Sequence, residues 1–289
     1  MSATEREIES QPETWRRAAA LAAELPERGA RLAVIGCGTS LYMAQAYAAA
    51  REAAGAGETD AFAASEVPTG RRYDSVLAIS RSGTTTEVVR ALELVSDAVP
   101  RYVITGVAAS PVALVADHVV ELDFADEESV VQTRFATTTL ALLLAHLGVD
   151  IEPIARRAEA ALAADLPLDP TEASSFVFLG RGWTIGLANE AALKLREAAL
   201  ATTEAYPALE YRHGPIALAE SRTVVWSLGE VEDDLLDDVR AVGATVVATG
   251  DHPLADLVVI QRLAVALARA GGLDPDQPRN LTRSVVLPS

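Results

Sequence analysis

Lys194 is the only lysine of the chain, against 23 arginines. It stands between Glu190 and Glu197, and His213 follows in the same stretch, residues 179–215. Read as a helix, this segment puts Glu190, Lys194 and Glu197 at i, i+4 and i+7, along one face. A base, an ammonium and a second carboxylate on one surface can move a proton and stabilise a developing oxyanion. The same spacing also fits a solvated helix face laced by ion pairs, with no chemistry at all. His213 has the pKa range of an acid or base near neutrality, or it closes the turn before Gly214-Pro215.

Two other segments have the composition of anion sites. Gly36-Cys37-Gly38-Thr39-Ser40 offers flexible backbone followed by two hydroxyls. In Ser80-Arg81-Ser82-Gly83-Thr84-Thr85-Thr86, five of the seven residues carry hydroxyls. Backbone N–H groups, hydroxyls and the positive end of a helix are what phosphate recognition needs. Plain N-capping is the alternative for both loops, though one cap needs one hydroxyl. Neither loop is a dinucleotide fingerprint, because Leu41 stands at the third glycine position, and neither is a P-loop, because no lysine follows. A small phosphorylated molecule is favoured over a nucleotide. No His, Asp and Glu spacing suggests a metal site, and no cofactor is expected. His118, His146 and His252 read as structural.

The elements that must position these groups follow from hydrophobic runs. RLAVIG (31–36), SVLAIS (75–80), RYVITG (101–106) and HVVELD (118–123) are short apolar runs of strand length. Helices are predicted over 4–25, 41–54, 86–96 and 129–146. Continuous rather than alternating apolar strands mean that both sheet faces are covered. The pattern then restarts: SFVFLGRG (175–182), TVVWSLGE (223–230) and ATVVATGD (244–251) parallel three strands of the first half. The expected fold is α/β, two tandem units, each a parallel, doubly wound, flavodoxin-like sheet flanked by helices. The expected organisation is an N-terminal helix (1–27), a first unit (28–162), a linker rich in Ala, Asp and Pro (163–173) and a second unit with a tail (174–289). In such sheets ligands sit beyond the carboxyl ends of the strands, where both hydroxyl-rich loops lie.

Bulk properties narrow the class. The chain has 289 residues, a hydrophobic content of 50% and a net charge of −17. That charge, with no basic stretch to offset it, argues against nucleic acid and anionic membranes as partners. The charged N-terminus lacks the apolar run of a signal peptide, no segment is apolar enough to span a membrane, and a cytoplasmic protein is expected. The single cysteine, Cys37, precludes an internal disulfide. The acidic run 230–238 reads as a solvated helix start.

Taken in order, GCGTS (36–40), SRSGTTTE (80–87), ESVVQTRFATT (128–138), LGRG (179–182), NEAALKLRE (189–197), EAYPALEYRHGPIAL (204–218) and DQPRNLTRSV (276–285) resemble the sugar isomerase (SIS) family. The likeness is greatest to the isomerase half of glucosamine-6-phosphate synthase and covers most of residues 28–289. It implies Ser80, Ser82 and Thr85 as phosphate ligands, with Arg81 in the same loop, and Thr39 and Ser40 facing the sugar. It places Gln132 and Thr133 in a loop approaching the sugar. It implies Glu197 as the base between C1 and C2, Lys194 near the developing oxyanion, and His213 in ring opening, supplied by the other subunit of a homodimer with shared active sites. No glutaminase domain precedes these motifs, and residue 2 is Ser where such a domain needs Cys. A stand-alone enzyme independent of glutamine is therefore expected. One departure concerns chemistry. Where the synthases carry a lysine able to form an imine with the open ketose, this chain has Arg283, and a guanidinium cannot serve as that nucleophile. The leading expectation is a deaminase/isomerase of an amino-sugar 6-phosphate such as glucosamine 6-phosphate. A plain aldose–ketose phosphate isomerase, a fructosamine-phosphate deglycase and a catalytically silent sugar-phosphate sensor remain open beside it.

Overall fold

The computed structural model describes residues 1–287; residues 288–289 of the expected second unit lie outside the described residues. Two short helices open the chain, α1 (Ala3–Glu9) and α2 (Gln11–Ala19). The single helix expected over 4–25 is thus broken. Pro12 sits in the first turn of α2, where its missing N–H costs nothing, and a helix continuous with α1 would set its ring against the preceding turn.

The first half then runs β1 (Leu32–Gly36), α3 (Thr39–Ala53), β2 (Thr59–Ala63), β3 (Ser75–Ile79), α4 (Thr86–Glu93), β4 (Arg101–Thr105), α5 (Pro111–Leu114), β5 (His118–Glu121), α6 (Arg134–His146) and α7 (Ile151–Ala163). The second half runs β6 (Ser175–Gly180), α8 (Thr184–Ala199), β7 (Thr202–Pro207), β8 (Thr223–Leu228), α9 (Asp233–Ala241), β9 (Thr245–Val247) and α10 (Pro253–Ala270). β2 and β7, most of whose positions are half-buried or exposed, and helices α7 and α10 are absent from the sequence reading. The helix expected from residue 129 begins at Arg134. Residues before it form a loop because the Glu127 carboxylate takes the Thr133 and Arg134 N–H groups, at 2.6 and 2.8 Å.

All strand pairs are parallel. The first sheet has the order β2-β1-β3-β4-β5 and the second β7-β6-β8-β9, so the second repeats the first without its last strand. One large apolar core joins an inner face of each sheet through α2, α3, α6, α8 and α10, with Trp15, Tyr47, Phe135, Phe178 and Trp226 fully buried in it. Smaller clusters cover the two outer faces, beneath α4 on one side and α9 on the other. Helices on both faces explain why β1, β3 and β8 are buried at every position and read as unbroken apolar runs. Among the described residues no helix is long and apolar enough to cross a membrane.

Candidate active site

The site forms where the two halves meet. α3 and α8 are the first helices after the first strand of each half, and they pack antiparallel. Gly186 lies against α3 so closely that a Cβ there would be 2.5 Å from the Tyr42 carbonyl oxygen. Further along, Asn189 donates to Gln45 at 3.2 Å, and Lys194 Nζ donates to Thr39 Oγ1 at 3.0 Å. Thus the N-terminus of α3, at the end of β1, meets the later turns of α8. β1 also pairs with β3, whose following loop holds the hydroxyl cluster. α3 covers one face of the sheet and α4 the other, which makes the gap between β1 and β3 the point where the topology reverses, the place that open parallel sheets offer to a ligand.

The face of α8 bearing Lys194 is buried rather than solvated. Lys194 is 1% exposed and Glu190 0%. Lys194 pairs with Glu190 at 3.4 Å and donates a hydrogen bond to Glu197, which keeps part of its surface open. Burial pushes the Glu190 carboxyl up to about 7; Lys194 opposes that rise and Glu197 adds to it. For Lys194, burial disfavours the charge, but Glu190 and Glu197 outweigh it and the ammonium is held above its usual range. Lys194 therefore rests as a cation between two carboxylates, only one of which reaches the surface. Of the two carboxylates only Glu197 could exchange a proton with a ligand from solvent, and a buried ammonium beside it is a group that could face an oxyanion.

The second loop is braced from within. Arg81, 2% exposed, donates to the Ser129 carbonyl at 2.8 Å and to the Arg283 carbonyl at 2.6 Å, and lies 3.8 Å from Glu127. Burial raises the Glu127 carboxyl against the pull of Arg81. Arg283 in turn pairs with Asp126 at 2.6 Å and donates to the Glu127 carbonyl. The tail then crosses the start of α4: Ser284 meets Thr84 at 2.9 Å, and the Val285 carbonyl accepts from the Thr86 N–H at 3.2 Å. Gly83, at φ +65°, could not carry a side chain there without striking Ser110.

Comparison with known proteins places this arrangement. Residues 25–147 match the family model for the SIS domain. The chain carries a SIS domain. Over 99% of its length it superposes on all of the glucosamine-6-phosphate deaminase structure from Thermotoga maritima, with a TM-score of 0.88 and 27% identity. The tagatose-6-phosphate ketose/aldose isomerase of Escherichia coli shares the fold, with a TM-score of 0.76 and 22% identity over 99% of this chain and 96% of that one. In sequence, the isomerizing glutamine–fructose-6-phosphate aminotransferase of Sulfurisphaera tokodaii is 30% identical over 75% of this chain, which spans 43% of that relative.

Against this SIS framework the expected residues fall into four groups. Thr39, Lys194 and Glu197 come together, with Ser40 buried beside Thr39 at the start of α3. Ser80, Ser82 and Thr85 lie on the loop after β3. Ser80 Oγ is buried without a partner, Ser82 Oγ accepts from Thr84, and Thr85 caps α4 without a side-chain bond. Gln132 Oε1 is also buried and unpartnered. Such orphaned polar atoms mark places that a ligand or water completes. Two residues are otherwise engaged. Arg81 points inward as a brace, and the Thr133 hydroxyl donates to Glu127 at 2.9 Å. His213 stands apart: it is exposed, on the segment after β7, and touches none of these groups within the chain. Of the other histidines, His118 stacks on Tyr102, His146 bonds the Ala22 carbonyl, and His252 caps α10. Glu127 and Glu190 were not assigned roles from sequence. Glu190 carried a signal in its spacing from Lys194; Glu127, which owes its place to tertiary contacts, carried none. Among the described residues no group of His, Cys, Asp and Glu is arranged to hold a metal.

Proposed function

We propose that the protein is a sugar-phosphate enzyme that deaminates and isomerises an amino-sugar 6-phosphate of the glucosamine 6-phosphate kind, without glutamine. The observation that carries this reading is the contact of Lys194 with Thr39, which sets the Glu197–Lys194 pair at the mouth of the phosphate-type crevice. The phosphate would take the Ser80, Ser82 and Thr85 hydroxyls and the N-terminal N–H groups of α4. With the sugar open, the Glu197 carboxylate removes the C2 proton while Lys194 stabilises, and protonates, the C1 oxygen. The product is an enolamine. Return of the proton from Glu197 to C1 gives a C2 iminium, which passes an N–H proton back to Lys194; water adds to the resulting imine and releases ammonia, leaving the ketose.

The Arg283 pairing supports a route free of a lysine imine: its guanidinium is held by Asp126 and the Glu127 carbonyl and has no free amine to offer. The full-length likeness to a protein described as glucosamine-6-phosphate deaminase supports the same substrate class. His213, exposed and bonded to none of these groups in its own chain, fits delivery to the site of a second copy. The test is ammonia release from glucosamine 6-phosphate, with the Glu197→Gln protein as blank. Release by the wild type alone is expected. Absence of release, with fructose 6-phosphate or another ketose phosphate converted to its aldose, would replace the deaminase with a plain isomerase. Neither activity, with the protein still stabilised thermally by the sugar phosphate, would favour a sensor.

A further inference from the structure

Because the second sheet repeats the first, it has a topological switch point of its own, between β6 and β8. A cleft of about 1040 Å³ opens there, walled by the loops that follow β6, β8 and β9. None of the residues assigned to the sugar phosphate lines it. Its chemistry is the opposite of the first crevice. Beside the hydroxyls of Thr184 and Ser227 the loops present Glu230, Glu232, Asp233, Asp251 and Asp256. Only Arg157 and Arg181 offset them, and each is already paired, with Asp251 and Glu232 respectively, both at 2.8 Å. Burial holds the His252 imidazole down at about 4, so it adds no charge near neutrality.

The N-termini of α9 and α10 meet this cleft and by themselves would invite an anion. Those positions are taken: Glu232 is the cap of α9, Asp233 lies in its first turn, and Asp256 lies in the first turn of α10. Five carboxylates against two paired guanidiniums leave an excess of negative charge. Asp256 is the group that asks for a partner. It is 2% exposed and lines the cleft. One of its oxygens accepts from Thr249, and the only charge felt at its carboxyl is the like charge of Asp251. Burying a carboxylate with no cation near it is unfavourable, and a cationic ligand would relieve that cost. Burial, accordingly, lifts this carboxyl to about 6. Beside it, Trp183 is half-buried and tilted against His252 at 5.8 Å, giving the cleft an aromatic face. The carboxylates are spread around the wall, and no three of them converge as a metal site among the described residues. Dispersed charge beside an aromatic ring suits an extended organic cation better than a metal ion.

We propose that this second cleft binds an aliphatic amine, with Asp256 receiving an ammonium group and Trp183 covering the carbon chain. The site is distinct from the sugar-phosphate crevice and stands whether or not that reading holds. Calorimetric titration of the full chain with spermidine tests it, at fixed ionic strength. Saturable binding to one site is expected, weakened roughly tenfold or more by Asp256→Asn and by Trp183→Leu, since a charge-assisted contact is lost in the first and the aromatic face in the second. Ser82→Ala combined with Thr85→Ala should leave spermidine binding unchanged. Trp15 and Trp226 are fully buried, so a change in tryptophan emission on titration should vanish in Trp183→Leu. Should Asp256→Asn fail to fold, Trp183→Leu, at a half-buried position, decides alone. No saturable heat, equal affinity in the variants, or full displacement by magnesium chloride at the same ionic strength would each overturn the proposal. The last would reduce it to general attraction by a chain of net charge −17.

Discussion

At the scale of single residues, the cluster on α8 divides its labour by exposure. Glu197 keeps access to the crevice, while Glu190 is sealed behind Lys194. Glu197→Gln should lower kcat by roughly a hundredfold to ten-thousandfold, the usual worth of a general base, while calorimetry finds sugar-phosphate affinity nearly unchanged. Equal loss in both would make Glu197 a binding residue instead. Glu190 predicts a pH effect on stability. A carboxyl raised from 4.5 to about 7 holds its proton longer in the folded chain than in the unfolded one. Its contribution is therefore full below the unfolded value and is lost as the pH climbs through the folded one, at no more than about 1.4 kcal/mol per pH unit. Lys194, raised from 10.5, titrates above this window. In Glu190→Gln that slope disappears, so the Tm difference from wild type should shift in favour of the variant between about pH 5 and about pH 8. An unchanged difference would mean that Glu190 stays ionised throughout.

At the scale of elements, the antiparallel α3–α8 contact is what turns two distant motifs into one site. Its closeness depends on Gly186, whose conformation is ordinary but whose missing side chain lets the helices touch. Gly186→Ala should push α3 away, cost about 1–3 kcal/mol in urea unfolding, and lower activity by stretching the Lys194–Thr39 contact. Activity retained with the expected loss of stability would separate this contact from catalysis. The strand ends repeat a related requirement. A Cβ at Gly36 would meet the Ser40 backbone at 2.7 Å, and one at Gly180 the Thr184 backbone at 2.5 Å. Each half folds its first helix back tightly over the end of its first strand, which brings the helix N-terminus to the crevice. The two halves thus share a frame, while their loops differ in chemistry, hydroxyl-rich in the first and acidic in the second.

At the scale of the whole molecule, the exposed His213 and the buried Lys194–Glu197 pair are not joined within one chain. If His213 acts across a dimer, two inactive variants should complement each other. Mixing equal amounts of Glu197→Gln and His213→Ala after joint unfolding and refolding should restore roughly a quarter of wild-type activity, because half the dimers are mixed and each of those has one intact site. No recovery, or an active monomer by light scattering, would refute a shared site.

Much of the architecture was legible because its signals are local. Buried parallel strands must be continuous apolar runs, and glycine and hydroxyl residues mark where each strand hands over to a helix. RLAVIG, SVLAIS and SFVFLG all became strands, and the spacing of Glu190, Lys194 and Glu197 on one helix face held. The half-buried strands β2 and β7 lacked such a run, and Pro12 was passed over inside a periodic pattern. Sequence alone thus determined the repeated α/β plan and the placing of Glu190, Lys194 and Glu197 on one face of α8. Whether that helix face was solvated or buried, which hydroxyl met Lys194, and that Arg81 and Thr133 would turn inward were decided only by tertiary packing. Burial and long-range contact set the charge state and partners of a side chain, and neither is written in the spacing of its neighbours along the chain.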